Sequence, residues 1–295
     1  MHVSRRLTVL FLLPASLLYL VFFLIPAVWA FYFSVFDWSG FTADKTFIGL
    51  DNYVHLMQDD VFWLSFSNTM KILFLGGAIT FSLAFLMTVL FNSGIRGKKL
   101  FRAMIFLPNV IATIALTTLW AFIYNPRFGL LNNFLELLGV ADTSKLLWMA
   151  SDRILYAMLV ALIWIEVGFM LVLLMAGVDK IPFEYYEAAR IEGASLFQMF
   201  RTITVPLMWD VISVAVVLWS IYALKVFEFP YAFTGIEPPN AIYTVGMYLF
   251  VMGFGKRNPI YRLGYATAIG VLLLLAVILV IAVLRRLMRR EVYEY

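Results

Sequence analysis

Residues 182–206 read PFEYYEAARIEGASLFQMFRTITVP, the longest charge-bearing amphipathic run set between two strongly apolar ones. Pro182 suits a helix start, where its missing N–H is not needed. Glu184–Glu192 then reads as a short helix stopped by Gly193, the residue type that best accepts the backbone beyond a helix end. Ser195 is placed to cap a second helix over Leu196–Thr204, and Pro206 precedes the next apolar run. The stretch therefore predicts helix, break, helix. Ala188 and Ala189 make a patch of little side chain, where a partner's backbone can approach closely. Spacing alone leaves two readings level: an ordinary interfacial amphipathic helix, or a docking element.

Outward from this stretch the chain is apolar. Hydrophobic residues make up 63% of the sequence and charged residues 14%, with a mean hydropathy of +0.92. A soluble domain carries roughly 45–50% apolar and about 25% charged residues. The chain is an integral membrane protein. Apolar runs cover residues 7–36, 68–91, 103–124, 154–178, 208–226 and 264–287, lengths that suit a hydrocarbon core needing roughly 20 residues per helix. The first run is too long for a secretory signal, whose apolar core is about 7–15 residues. It reads as an uncleaved span in which Pro14 and Pro26 are tolerated because neighbouring helices satisfy freed backbone groups. Segment 125–153 is mixed, with a short amphipathic helix at Leu130–Leu138, and 228–262 is irregular around Pro230, Pro238 and Pro239. Asn68 and Lys71 read as capping or snorkelling residues. The fold expected is an all-α polytopic membrane protein: six transmembrane helices, one membrane domain over 1–295, and a polar connection at 179–207.

Charge placement sets the orientation. Thirteen Lys/Arg (5, 6, 96, 98, 99, 102, 180, 190, 201, 285, 286, 289, 290) fall on the side of the termini and of the 179–207 connection, against seven (45, 127, 145, 153, 256, 257, 262) opposite. The positive-inside rule places both termini and the opening stretch in the cytoplasm. No cysteine is present and the only histidines are His2 and His55, so thiolate and His-based metal sites and Cys nucleophiles are excluded. The turn Gly94–Lys99 lacks phosphate-loop spacing and reads as a basic cytoplasmic turn. Nothing points to a nucleic acid. An ion-coupled secondary transporter would show internal repeats and paired broken helices; no repeat is visible. An intramembrane enzyme would need a Ser/His, paired-Asp or His-metal constellation within the spans, and none is there.

The opening stretch also resembles something more specific. Glu187-Ala188-Ala189, then Gly193, then Ile203-Thr204-Val205-Pro206 is similar to the EAA loop of permease subunits in binding-protein-dependent ABC importers, with Glu192 where Asp is usual and Val205 for Leu. Further similarity runs through Phe47–Tyr53, Phe106-Leu107-Pro108, Gly129–Asn132, Lys225–Glu228 and Gly264–Ala268, and resembles the first permease of maltose, glycerol-phosphate and oligosaccharide systems. Thr234-Gly235-Ile236-Glu237-Pro238 departs from the family's T-G-G-G-P, losing two glycines. The resemblance implies a type I importer in a bacterial or archaeal cytoplasmic membrane. Its partners would be a second permease, two cytoplasmic ATPase subunits that bind the ATP, and an external solute-binding protein. The chain itself needs no cofactor. Glu187, Ala188, Ala189, Glu192, Gly193, Ile203 and Pro206 would couple to the ATPases, with no catalytic role.

Charged residues inside spans default to functional hypotheses. Glu166 lies mid-run beside Trp164, and Lys225 and Glu228 lie toward the outer end of the fifth run, after Trp219 and Tyr222. Trp219, Tyr222 and Val226 recur at helical spacing and predict a shared face. Aromatic faces beside carboxylates suit a sugar. Glu166 and Lys225 either contact the solute or form a buried ion pair. The residues fit a sugar-like solute; glycerol phosphate or another polar anion is the alternative.

Overall fold

The computed structural model describes residues 5–92, 97–140, 142–235, 237–258 and 260–289. Arg96 and Arg290 of the charge pattern, Gly94 of the basic turn and Ile236 of the divergent loop lie outside the described residues. Among the described residues four helices are long and apolar enough to cross a membrane: Val9–Phe33, Asp60–Asn92, Ile154–Val178 and Leu263–Leu287. Two bent helix pairs, Lys98–Val110 with Thr113–Ile123 at 101° and Leu196–Leu207 with Trp209–Lys225 at 77°, bring the number to six when each pair is counted as one span. The chain divides into two compact units, residues 1–63 with 248–275, and 64–247 with 276–295.

In the first unit, none of the Val9–Phe33 helix is buried against the chain. Its π-turn at Leu20–Leu24 lies just before Pro26. Of two π-turns among the described residues of the second unit, Phe200–Thr204 likewise lies just before a proline, Pro206, and Ile72–Gly76 does not. Proline cannot donate to the turn behind it, and one extra residue per turn absorbs that loss. A two-residue antiparallel ladder pairs Phe36 with Phe47 and Asp37 with Thr46. Gly49, at φ +60°, turns the chain into the Asp51–Met57 helix. There the buried Asn52 amide donates to the Ser34 and Phe36 carbonyls at 2.8 and 3.0 Å. The last span starts hard against this ladder: a Cβ on Gly264 would lie 2.0 Å from the Phe36 carbonyl oxygen.

Asp59 knots the unit together. Its Oδ1 accepts from the Val61 and Phe62 amides, capping the second span. Its Oδ2 accepts from the hydroxyls of Tyr248 and Tyr265, which sit on the Val245–Phe254 helix and the last span. Burial pushes the Asp59 carboxyl up, but the Tyr248, Tyr265, Phe62 and Val61 bonds outweigh it and hold it below the ordinary value. This cap explains why the second helix begins at Asp60, eight residues before the apolar run starts at Asn68.

The second unit is built around the fourth span. Ile154–Val178 is apolar on every side and packed on nearly every side, with Met158, Leu162, Met170, Leu171 and Leu174 fully buried. A helix hydrophobic all round belongs in the middle of a bundle. Asn68 neither snorkels nor caps its own helix. It is buried and donates to the carbonyls of Ala241 and Tyr243 at 2.9 and 3.0 Å. Thr69 Oγ1 accepts the Val245 amide at 3.0 Å, so the second span pins the 240–245 segment.

The run 103–124 is not one helix. A 3₁₀ turn at Leu107–Val110 separates its halves. Proline at 108 interrupts the ladder, and the Asn109 amide donates at 2.7 Å to the Ile165 carbonyl of the fourth span. Gly168 lets the two backbones meet, since a Cβ there would lie 2.3 Å from the Ile105 carbonyl oxygen. The second helix of the 182–206 stretch likewise runs further than expected, as one helical run from Leu196 to Leu207 that breaks at Met208.

Candidate functional site

The break in the third span opens a cavity of about 480 Å³ in the second unit. Pro108, Asn109, Ile111, Thr113 and Leu116 form one wall, Ile165 and Glu166 a second, and Ile221–Phe229 a third. Glu166 is buried, 9% exposed, and accepts a hydrogen bond from the Tyr222 hydroxyl. Lys225 and Glu228 are exposed on the same wall. Among the described residues no ion pair joins Glu166 to Lys225. The carboxylate's partner is a phenol, and the ammonium is left to solvent.

The wall carrying Lys225 and Glu228 is fixed from behind. The fifth span ends at Lys225, and Thr244 Oγ1 donates to the Val226 carbonyl at 2.6 Å. Gly246 comes close to the same turn, where an added Cβ would be 3.2 Å from the Lys225 carbonyl oxygen.

Of the six pathway candidates, four line this cavity: Glu166, Tyr222, Lys225 and Glu228. Two do not. Trp219 is 2% exposed and donates through its indole N–H to the Leu73 carbonyl at 2.9 Å. Its ring fills the slot left by Gly76 and Gly77, where added Cβ atoms would lie 3.3 and 2.5 Å from it. Trp164, two residues from Glu166, points to another side of its helix and meets Trp120 edge-on at 5.7 Å. Trp219 is a packing residue, while Trp164, 41% exposed, lies outside the cavity lining. Asn109 was not singled out by sequence reasoning; as a lone amide in an apolar run beside a proline it carried a signal that composition alone did not weigh.

The 182–206 stretch forms the predicted shape. The first helix, Phe183–Ile191, ends in a left-handed Gly193 at φ +79°. The Gly193 amide donates to the Arg190 carbonyl at 3.0 Å and the Ala194 amide to the Ala189 carbonyl at 2.9 Å, the paired bonds of a Schellman end. Ser195 and Gln198 then make a reciprocal capping box. Glu187, Ala188, Glu192 and Gly193 are exposed, while Ala189, Ile203 and Pro206 are partly covered. What ties the element down is a residue missed in the sequence. Tyr186 is buried, with its hydroxyl 3.0 Å from Thr204 Oγ1 and bonded also to Asn92. Burial raises its pKa, against the pull of those two bonds. It packs with Ile181 and Met199, leaving one face of the element for the protein's interior and the other free.

Spans broken beside a cavity, around a packed fourth helix and with a helix–break–helix element leading into the fifth, define a membrane transport permease. Residues 81–292 match the family described as binding-protein-dependent transport system inner membrane component, and the chain belongs to that family. It is 36% identical over 298 residues to the probable ABC transporter permease protein YurN of Bacillus subtilis, covering 99% of this chain and 97% of that one. It is 33% identical over 248 residues to the trehalose/maltose transport system permease protein MalF of Thermococcus litoralis, covering 84% and 83%. Its fold is that of a chain in the crystal structure of a bacterial ABC transporter involved in the import of the acidic polysaccharide alginate. There the TM-score is 0.82 at 23% identity, over 97% of this chain and 96% of that one.

Proposed function

We propose that this ABC importer permease carries a sugar or sugar-like solute, and that the cavity at the break of the third span is where the solute passes. The observation that carries the reading is the buried Glu166, bonded to Tyr222 on the wall of a 480 Å³ cavity. That volume lies in the roughly 300–1,000 Å³ range of small-molecule sites. Carboxylate and amide oxygens there accept hydroxyl protons, which a sugar has in abundance. The names of the relatives, which include a trehalose/maltose permease, support the same solute class.

The whole chain acts as one permease domain in a bacterial or archaeal cytoplasmic membrane, with both termini inside. A second permease completes the pathway and an external binding protein delivers solute. Two ATPase subunits hold the ATP, one docking on the second permease and the other on the free face of the 182–206 element through Glu187, Ala188, Ala189, Glu192 and Gly193, with Ile203 and Pro206 relaying to the fifth span. The chain itself needs no cofactor.

The test is reconstitution of the complete transporter with Glu166→Gln and Lys225→Met, measuring solute uptake and binding-protein-stimulated ATPase activity. Loss of a hydrogen bond to a charged group is worth about 1.5–3 kcal/mol, so Glu166→Gln should weaken apparent affinity by roughly tenfold or more. Normal transport at unchanged apparent affinity in both variants would remove the cavity from the pathway.

A further inference from the structure

Residues 125–153 connect the third and fourth spans and contain a helix at Leu130–Leu137 that is built inside out. Of its polar residues Asn132 is turned into the protein, while Asn133 and Glu136 stay exposed. Asn132 is 3% exposed; its amide donates to the Thr143 carbonyl at 2.9 Å and its Oδ1 accepts from the Trp148 indole at 2.6 Å. Glu136, on the same side, accepts from the Thr143 hydroxyl. The opposite side is apolar and uncovered: Leu130, Phe134, Leu137 and Leu138 are 57–85% exposed. A helix bordering water does the reverse, with its apolar stripe to the core and polar groups outward.

The bare face continues an apolar surface of the third span. Phe122, one turn from the end of that span, is 59% exposed, and its ring lies 6.3 Å from that of Phe128, also exposed. From Phe128 the strip passes directly to Leu130 and Phe134. The side chains of Phe122, Phe128, Leu130, Phe134, Leu137 and Leu138 are uncharged, with the exposed Arg127, Asn133 and Glu136 beside them, and an apolar surface that begins on a membrane-crossing helix meets the same medium along its length. Amphipathic helices of this kind lie in the membrane interface with the apolar face about 5–10 Å into the headgroup–acyl boundary.

We infer that the Leu130–Leu137 helix rests its outward face in lipid at the outer membrane surface and so anchors the outer end of the third span, whose inner break walls the cavity. The outward placement of 125–153 rests on the topology proposed above, so the test reads it separately. The chain has no cysteine, which makes single labels unique. The complete transporter in lipid nanodiscs would carry a spin label at Leu130→Cys, Phe134→Cys or Leu137→Cys, with Lys145→Cys as the solvated reference. Oxygen should relax the three helix labels strongly, and a water-soluble nickel chelate should reach them several-fold less than position 145. In intact cells, an impermeant maleimide should modify Lys145→Cys from outside; failure there would overturn the outward placement alone. The lipid contact is overturned if nickel reaches all three helix positions as freely as position 145. It is equally overturned if they become protected only on adding the binding protein, which would make this face a protein-docking surface.

Discussion

Replacing Gly168 by alanine adds one methyl group at the tightest backbone contact near the cavity. The new Cβ would stand 2.3 Å from the Ile105 carbonyl oxygen and 3.0 Å from both the Ile105 carbonyl carbon and the Phe106 Cα, where ordinary contact begins at 3.4 Å. All three atoms are backbone, so no side chain can swing aside. The Lys98–Phe106 helix must instead withdraw by about 1 Å, at an overpacking cost of about 1–3 kcal/mol. Withdrawal stretches the 2.7 Å bond from Asn109 to the Ile165 carbonyl, whose loss adds about 0.5–1.5 kcal/mol. The total, about 2–4 kcal/mol, is a large part of a typical stability. Gly253→Ala is the control, because its Cβ would meet only the Ala266 Cβ at 3.4 Å. Purified transporter carrying each variant would be unfolded thermally and assayed for uptake. Gly168→Ala should melt well below Gly253→Ala and lose most uptake, since the displaced segment is a wall of the cavity. Equal melting temperatures with full uptake would refute the account of the third-span break.

Asp59→Asn should destabilise the protein by about 1 kcal/mol, a figure kept small because the group is partly solvated. The acid dependence has a definite sign: the folded carboxyl is held below its ordinary value, so its contribution is complete above that value and disappears as pH falls through the folded one. Wild type should therefore lose stability more steeply than Asp59→Asn below about pH 4; parallel curves would assign the knot no electrostatic role. Gly193→Val meets no atom within 4 Å, but the left-handed backbone costs a side-chain-bearing residue about 1–2 kcal/mol. That variant should reach the membrane at normal abundance yet lose solute-stimulated ATPase activity, and normal stimulation would argue against the coupling role of the element.

What could be read from the chain follows from how local each feature is. The helix–break–helix shape of 182–206 was legible because its punctuation is local: Gly193 must go left-handed and Ser195 finds Gln198 three residues on. The fourth span was legible at both ends because it is unbroken and apolar on all sides. The third was not, since 103–124 is evenly apolar and its break depends on Asn109 reaching Ile165 and on Gly168 admitting Ile105. Those partners lie more than fifty residues away. Within the site, Glu166 and Tyr222 came together, but Trp219 turned from the expected shared face because Gly76 and Gly77 offer a slot its ring fills. Asp59 went unread among acidic neighbours because its two tyrosines come from 189 and 206 residues further on.

The first and fourth spans are each 25 residues of almost pure hydrocarbon, one with none of its surface and the other with 67% of its most apolar stretch buried inside the chain. They stand under opposite rules of inheritance. Exchanging leucine, isoleucine and valine along Val9–Phe33 disturbs no buried residue, and apart from the stacked Phe23 and Phe33 drift there is limited mainly by hydropathy and by whatever surrounds the subunit. Along Ile154–Val178 the same exchanges alter volume in a filled core, where one methylene group is felt. Between relatives, the first helix should diverge freely in spelling while keeping its greasiness, and the fourth should change slowly and in compensated pairs.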